Sequence, residues 1–406
     1  MAVFRRSSHS DDGREENLAG VASMTNVSRT KITEIGSGHR RVLYMIHVDW
    51  RWIKQRPQFL AENLAERHDV LVLHRPCIRP GVQLTVNASS VSRFPLLPLP
   101  WSWKSLRWCA TPIQRQWVAL KARRFEPDTV WLTHPALVDA IPAFRAQLPI
   151  VYDCMDDALG FPSSQSRSKL LARLEQQLVI RAAMILCSSD RLCELLISRY
   201  GHGIESKVTL VRNAVSQTML VDAARSPSEA IETGPTAKVA YFGTIAEWFD
   251  FDILLAALDS NAALEFHLAG PISVRSVPRH ERLKFHKPVR HEELTAFAAQ
   301  FDGFVMPFRM SSLTEAVDPV KLYEYLAFGK EVLAVRYKEI ERFSQFVHFY
   351  RTLPEFLELI DQLVARTLKS KSSAADKSVF LARNTWQERG SHICQLLARL
   401  NSTVTE

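Results

Sequence analysis

The 406-residue chain lacks any apolar run near the ~20 residues that a spanning helix needs. Its first 38 residues are polar and charged with no apolar h-region, which excludes a secretory signal there. Six cysteines include no Cys-x-x-Cys pair and no regular ladder, so neither a disulfide framework nor a zinc ribbon is expected. They read as reduced, mostly buried thiols of a cytoplasmic protein. No Gly-x-Gly-x-x-Gly follows the first strand of either half and no Walker motif occurs, which argues against a dehydrogenase or an ATPase. One further absence is local. From Val70 to Phe125 there is no Asp or Glu but nine Lys or Arg, enough to account for the whole net charge of +8. No helix-turn-helix, zinc-finger or RNA-binding pattern accompanies that charge, so no nucleic-acid partner is expected.

What is present is alternation. Short β-rich runs at 42–46, 70–73, 129–132, 150–152, 184–187 and 208–211 are separated by helical patterns, clearest at 58–67 and 169–183. The pattern restarts at 239–242, 266–269, 283–285, 304–306 and 332–335. Strands alternating with helices predict an α/β protein with two Rossmann-like, doubly wound parallel-sheet domains facing a cleft. The expected organisation is a disordered polar tail at 1–38, a first domain at 39–215 and a linker at 216–237. A second domain follows at 238–375, and a C-terminal helix at 376–406 crosses back to the first. Ligands of such sheets lie outside the carboxyl ends of the strands.

The most informative stretch is Asp318-Pro-Val-Lys-Leu-Tyr-Glu-Tyr-Leu-Ala-Phe-Gly329. Asp318 is a good N-cap, Pro319 suits the first helical position, and Gly329 suits a left-handed C-terminal cap. Lys321 and Glu324 share one face of that helix at its positive end. A cation and amides for a diphosphate, with a carboxylate one turn on for a ribose, fit a sugar nucleotide.

With His47-Val-Asp-Trp-Arg-Trp-Ile-Lys-Gln-Arg-Pro57, Val151-Tyr-Asp-Cys-Met-Asp-Asp157, Val208-Thr-Leu-Val-Arg-Asn-Ala214 and Tyr241-Phe-Gly-Thr-Ile245, this stretch resembles the GT-B-fold retaining glycosyltransferases of family 4. The branch it is most similar to holds teichuronic-acid and polysaccharide-biosynthesis transferases. The resemblance implies phosphate contact by Lys321 and ribose contact by Glu324, with Asp318, Gly243 and Thr244 in the donor site. It implies that Asp156 or Asp157 sits near the anomeric carbon. It also places His47, Asp49, Trp50 and Arg56 in the acceptor loop. Two departures stand out. The family's first glutamate falls on Ala316, and its Arg/Lys pair after the first strand of the second domain is missing from Phe242–Asp250, leaving Arg309 and Arg56 as substitute cations. His134 ends a strand and is either a base or a partner for a loop carbonyl.

The implied activity is transfer of a sugar from a nucleotide-diphosphate sugar, with no cofactor or metal, to a glycan or lipid-linked acceptor. The alternatives are a sugar-nucleotide epimerase of the same fold and a degenerate, non-catalytic binding protein. The acid-free segment 70–125 also carries Trp101, Trp103, Trp108 and Trp117. It is expected to hold the protein peripherally on the anionic inner face of the cytoplasmic membrane.

Overall fold

The computed structural model describes residues 39–77, 91–99, 104–142, 147–225 and 234–400. These form two all-parallel sheets within one compact unit. The first runs β3-β2-β1-β4-β5-β6-β7: β1 (Arg41–Ile46), β2 (Asp69–His74), β3 (Ser92–Pro95), β4 (Thr129–Leu132), β5 (Ile150–Cys154), β6 (Ala182–Cys187) and β7 (Val208–Leu210). The second runs β10-β9-β8-β11-β12-β13: β8 (Ala237–Phe242), β9 (Leu264–Ala269), β10 (Leu283–His286), β11 (Gly303–Met306), β12 (Glu331–Val335) and β13 (His348–Tyr350). Helices α1 (Arg56–Leu64), α2 (Lys104–Arg123), α3 (Gln165–Arg181), α4 (Asp190–Tyr200) and α5 (Gln217–Arg225) belong to the first half of the chain. The rest are α6 (Phe251–Ser260), α7 (Leu294–Ala298), α8 (Ser312–Glu315), α9 (Val320–Ala327), α10 (Leu353–Val364), α11 (Ala374–Ala382) and α12 (Trp386–Arg399).

The central strands are apolar on both faces because helices cover both sides. Val42, Tyr44 and Ile46 of β1 enter one core, while Leu43 and Met45 enter another across the sheet. Strand order reverses between β1 and β4 and between β8 and β11, so crevices open at the carboxyl ends of those strands.

The two sheets are sewn together by buried polar contacts. Asn213 N–H donates to Asp318 Oδ2 at 2.7 Å, and Ser189 Oγ donates to the Ala316 carbonyl at 2.6 Å. Arg212 pairs with Glu339 across the same seam. Trp386 of α12 stacks on Phe59 of α1, ring centroids 5.1 Å apart, which returns the chain end to the first sheet.

Several expectations need correcting. Asp318 does not cap α9: Pro319 occupies that position, and the Asp318 carboxylate is buried and pairs with Arg342. α1 runs Arg56–Leu64, starting and ending earlier than the 58–67 pattern. The final helical stretch is two helices, with Thr385 Oγ1 accepting from Glu388 N–H at the start of α12. α5 occupies part of the expected linker, and β3 and β13 were not anticipated. The expected tail at 1–38, with Trp101 and Trp103, lies outside the described residues.

Candidate active site

Carboxyl ends of both sheets border one cavity of about 280 Å³. On the second sheet the ends of β8 and β9 offer backbone to it. Gly243, after β8, has φ +139°, and a Cβ there would lie 2.0 Å from Lys321 Cε. Gly270, after β9, has φ +149°, and a Cβ there would lie 2.0 Å from the Gly243 carbonyl oxygen. Both positions require glycine, for conformation and for space. The Lys321 side chain lies over this glycine floor, its Nζ 5.6 Å from the Tyr241 ring centroid.

Burial dominates the electrostatics. It pushes the Glu324 carboxyl up to about 7 despite nearby Lys321, and it pulls the Lys321 ammonium below its ordinary value. His291, after β10, places Nε2 3.8 Å from Glu324 Oε1, and that nitrogen has no hydrogen-bond partner. Burial, with Lys54 nearby, lowers its pKa to about 4, so the ring is neutral at pH 7. His291 was not anticipated, since it is a lone histidine in a polar turn that only the fold brings to Glu324.

The first sheet contributes side chains. Asp156, after β5, lines the cavity with its carboxyl pushed up to about 7 by burial, against the opposing pull of Arg56 and Lys321. Arg56 is 2% exposed and is held by Nε and Nη1. Its Nε donates to Asp153 Oδ1 at 2.9 Å, and Nη1 donates to the Val211 carbonyl at 2.7 Å and to Asn213 Oδ1 at 3.2 Å. It therefore ties α1 to β5 and to the chain after β7 at the cavity edge, and it is not a mobile acceptor ligand. Lys321, Glu324, Asp156, Gly243, Thr244, Arg56 and Asp318 thus converge on one cavity.

The remaining candidates lie elsewhere. Asp157 is bonded to both Arg199 nitrogens at 2.7 and 2.8 Å and accepts from Leu159 N–H, a structural role under the loop. Arg309 is half exposed on Asp250 and Asp252, outside the cavity wall, because those carboxylates neutralise it on the surface. Trp50 is 1% exposed in the core. Burial raises the Asp49 carboxyl, but Arg51 and the backbone N–H groups of Cys77 and Arg51 more than offset this and hold it low. It closes its own loop rather than facing the cavity. His47 and His134 come together, ring centroids 4.7 Å apart, but in a different cavity of the first sheet. Where the family's first glutamate is expected, Ala316 is buried and its loop offers Leu313, Thr314 and Val317 to the cavity.

Two parallel-sheet lobes that share a ligand-sized cleft at their strand ends define the GT-B class of fold. Within it, residues 53–214 match the family described as a glycosyl transferase 4-like domain. A relative from Bacillus subtilis strain 168, bearing the name of a teichuronic acid biosynthesis glycosyltransferase, TuaH, is 27% identical over 217 residues. That match covers 50% of this chain and 54% of the relative, about half its length. Sucrose-phosphate synthase from Thermosynechococcus elongatus superposes with a TM-score of 0.65 at 14% identity, covering 90% of this chain and 100% of that one. Anabaena HepE in complex with UDP-glucose gives 0.60 at 16%, covering 89% and 100%. The starch synthase IV catalytic domain of Arabidopsis thaliana, bound to ADP and acarbose, gives 0.61 at 10%, covering 90% and 100%. At these identities the structural likeness is one of fold.

Proposed function

We propose that the chain is a retaining glycosyltransferase that moves a sugar from a nucleotide-diphosphate sugar to a carbohydrate or lipid-linked acceptor in cell-surface polysaccharide biosynthesis. The observation that carries this is the glycine floor under Lys321 beside Glu324. Gly243 and Gly270 let a diphosphate approach backbone at the start of α9, where the helix end and Lys321 are both positive. Glu324, with the neutral His291 next to it, accepts from the ribose hydroxyls. Asp156 faces the bound sugar from the other lobe. As the bond to the diphosphate breaks, charge builds on the leaving oxygens, and Lys321 with the α9 amides stabilises it there. The incoming hydroxyl passes its proton to the leaving phosphate, while Asp156 holds the sugar and the positive charge that develops on its ring. UDP-glucose bound to HepE supports a nucleotide-sugar donor for this fold.

The sugar end of the cavity is largely apolar, with Phe161, Trp248, Phe308 and Leu313 in its wall. Without the family's first glutamate to accept sugar hydroxyls, it favours a deoxyhexosyl over a hexosyl donor. Incubation with a panel of nucleotide sugars, read as release of nucleoside diphosphate with acceptor extract, tests the proposal. Turnover with at least one donor, strongly reduced in Asp156→Asn at similar donor affinity, is expected. Epimerised donor or binding without turnover contradicts it.

Access to a lipid-linked acceptor follows from α2. Trp108, Ile113 and Leu120 are 78%, 51% and 63% exposed, on a helix whose exposed side also carries Arg115 and Arg123. No helix among the described residues is long and apolar enough to cross a membrane, so we assign this face to adhesion on an anionic surface. Sedimentation with anionic vesicles, falling as salt rises and absent with neutral lipid, is the expected result. Equal, negligible binding to both contradicts it.

A further inference from the structure

Two aromatic rings meet across the cleft beside the donor site. Phe161, after β5, comes from the first lobe, and Trp248, after β8, comes from the second. Both line the shared cavity. Their ring centroids lie 6.4 Å apart with the planes at 75°, so they form a corner rather than a stack. Phe161 is 38% exposed, the most open ring of that wall, and Trp248 is half-buried. Single exposed aromatics are ordinary, but two that meet at a ligand-sized cavity mark a binding surface. The backbone around them holds both in place. The Trp248 carbonyl accepts from Arg309 N–H at 2.7 Å, and Phe249 bridges Phe308, which ties the loop after β8 to the loop after β11. The Asp157 carbonyl accepts from Gly160 N–H at 3.0 Å, and Arg199 fixes the Asp157 side chain, which sets the turn before Phe161. The Trp248 indole N–H has no hydrogen-bond partner among the described residues, so a donor stands unspent beside the rings.

We propose that this corner binds a pyranose ring at the reacting end of the acceptor, its C–H face on Phe161 and Trp248 and one hydroxyl accepting from Trp248 Nε1–H. A sugar ring has an apolar C–H face and a rim of hydroxyls, and the negative face of an aromatic ring attracts polarised C–H groups. A hydrocarbon chain would cover the rings and leave the indole N–H without a partner. An anionic group would meet two negative ring faces and the Asp156 carboxyl, which opens on the same cavity. The ring belongs to the acceptor because Phe161 stands on the lobe without the glycine floor, where a glycan entering from solvent meets it first. The corner needs one ring from each lobe, so it exists only where the lobes meet. The inference rests on the transferase reading of the cleft, and it narrows the acceptor to one that presents a sugar.

The test is saturation-transfer NMR of the full chain with the methyl pyranosides of glucose, galactose, mannose and rhamnose, without nucleotide. At least one is expected to receive saturation, strongest on its C–H face. Trp248→Leu is expected to weaken that glycoside about tenfold, and Phe161→Leu about threefold. Trp248→Phe keeps a ring and removes the N–H, and a loss of about threefold is expected. Melting temperatures check the fold of each variant, and Phe161→Leu, at an exposed position, carries the test if Trp248→Leu melts early. Calorimetry of the parent chain with nucleoside diphosphates reports the transferase reading separately, which fails if none of them binds. The proposal is overturned if no glycoside receives saturation, or if the folded variants bind it as the parent does. It is also overturned if Trp248→Leu weakens a nucleotide sugar and leaves the glycoside unchanged, which gives the corner to the donor.

Discussion

The two sheets share one architecture but finish their strands differently. β8 and β9 end in glycines, so the strand ends of the second lobe present bare backbone to the cavity, beneath Lys321. The first lobe ends its strands in side chains instead: Asp156, after β5, faces the same cavity, while His47 and His134, after β1 and β4, line a separate one. Backbone suits a group that never varies, such as a diphosphate, whereas side chains suit partners that differ between relatives. Our account assigns the donor to the first kind of surface and the acceptor to the second.

The largest expected effect breaks the side-chain lobe. Arg56→Met leaves the Asp153 carboxylate buried, at 0% exposure, without its cation. A loss of about 3–5 kcal/mol is expected, measured by denaturant unfolding. Next is the backbone lobe. Gly270→Ala forces a Cβ against the Gly243 carbonyl in a strained conformation, costing at least ~1–3 kcal/mol. Gly243→Ala is also strained, but its closest neighbour is the movable end of Lys321, with Tyr241 Oη at 3.2 Å, so it should destabilise less while still weakening nucleotide binding. Equal melting temperatures for the two variants would mean that the glycine floor is not packed as described.

A pH series sharpens the role of Asp156. Its carboxyl titrates near pH 7 when folded, against an ordinary 3.8. Unfolding therefore releases its proton between those values. The stability it contributes is complete below about pH 4 and lost as pH rises to 7. Asp156→Asn removes that loss. Its melting temperature should exceed the parent's most above pH 7, with the gap closing toward pH 4, while turnover falls. A pH-independent gap would place Asp156 in a solvated setting.

Most strands were legible because buried parallel strands are apolar runs without alternation. β3 was not: Ser92-Arg-Phe-Pro95 is exposed at all four positions on the sheet edge and is held by backbone pairing with β2. Lys321 and Glu324 were legible because one helix turn carries both. Their burial was not, since it depends on Gly243 and on the opposite lobe. The joining of His47 with His134 depends on the pairing of β1 with β4, strands some ninety residues apart, which no local pattern encodes. Arg309 and Trp50 misled for the same reason. Their residue types suit a site, but Asp250 and Asp252 hold one on the surface and the core takes the other.

The most direct test of the central claim is titration calorimetry with the nucleoside diphosphates of uridine, guanosine, adenosine and thymidine. The account predicts binding of at least one of them. It also predicts that Lys321→Ala weakens this binding by about 1.5–3 kcal/mol and that Glu324→Ala weakens it too, both with the fold intact. Binding that is unchanged in both variants, or no binding by the parent chain, would contradict it.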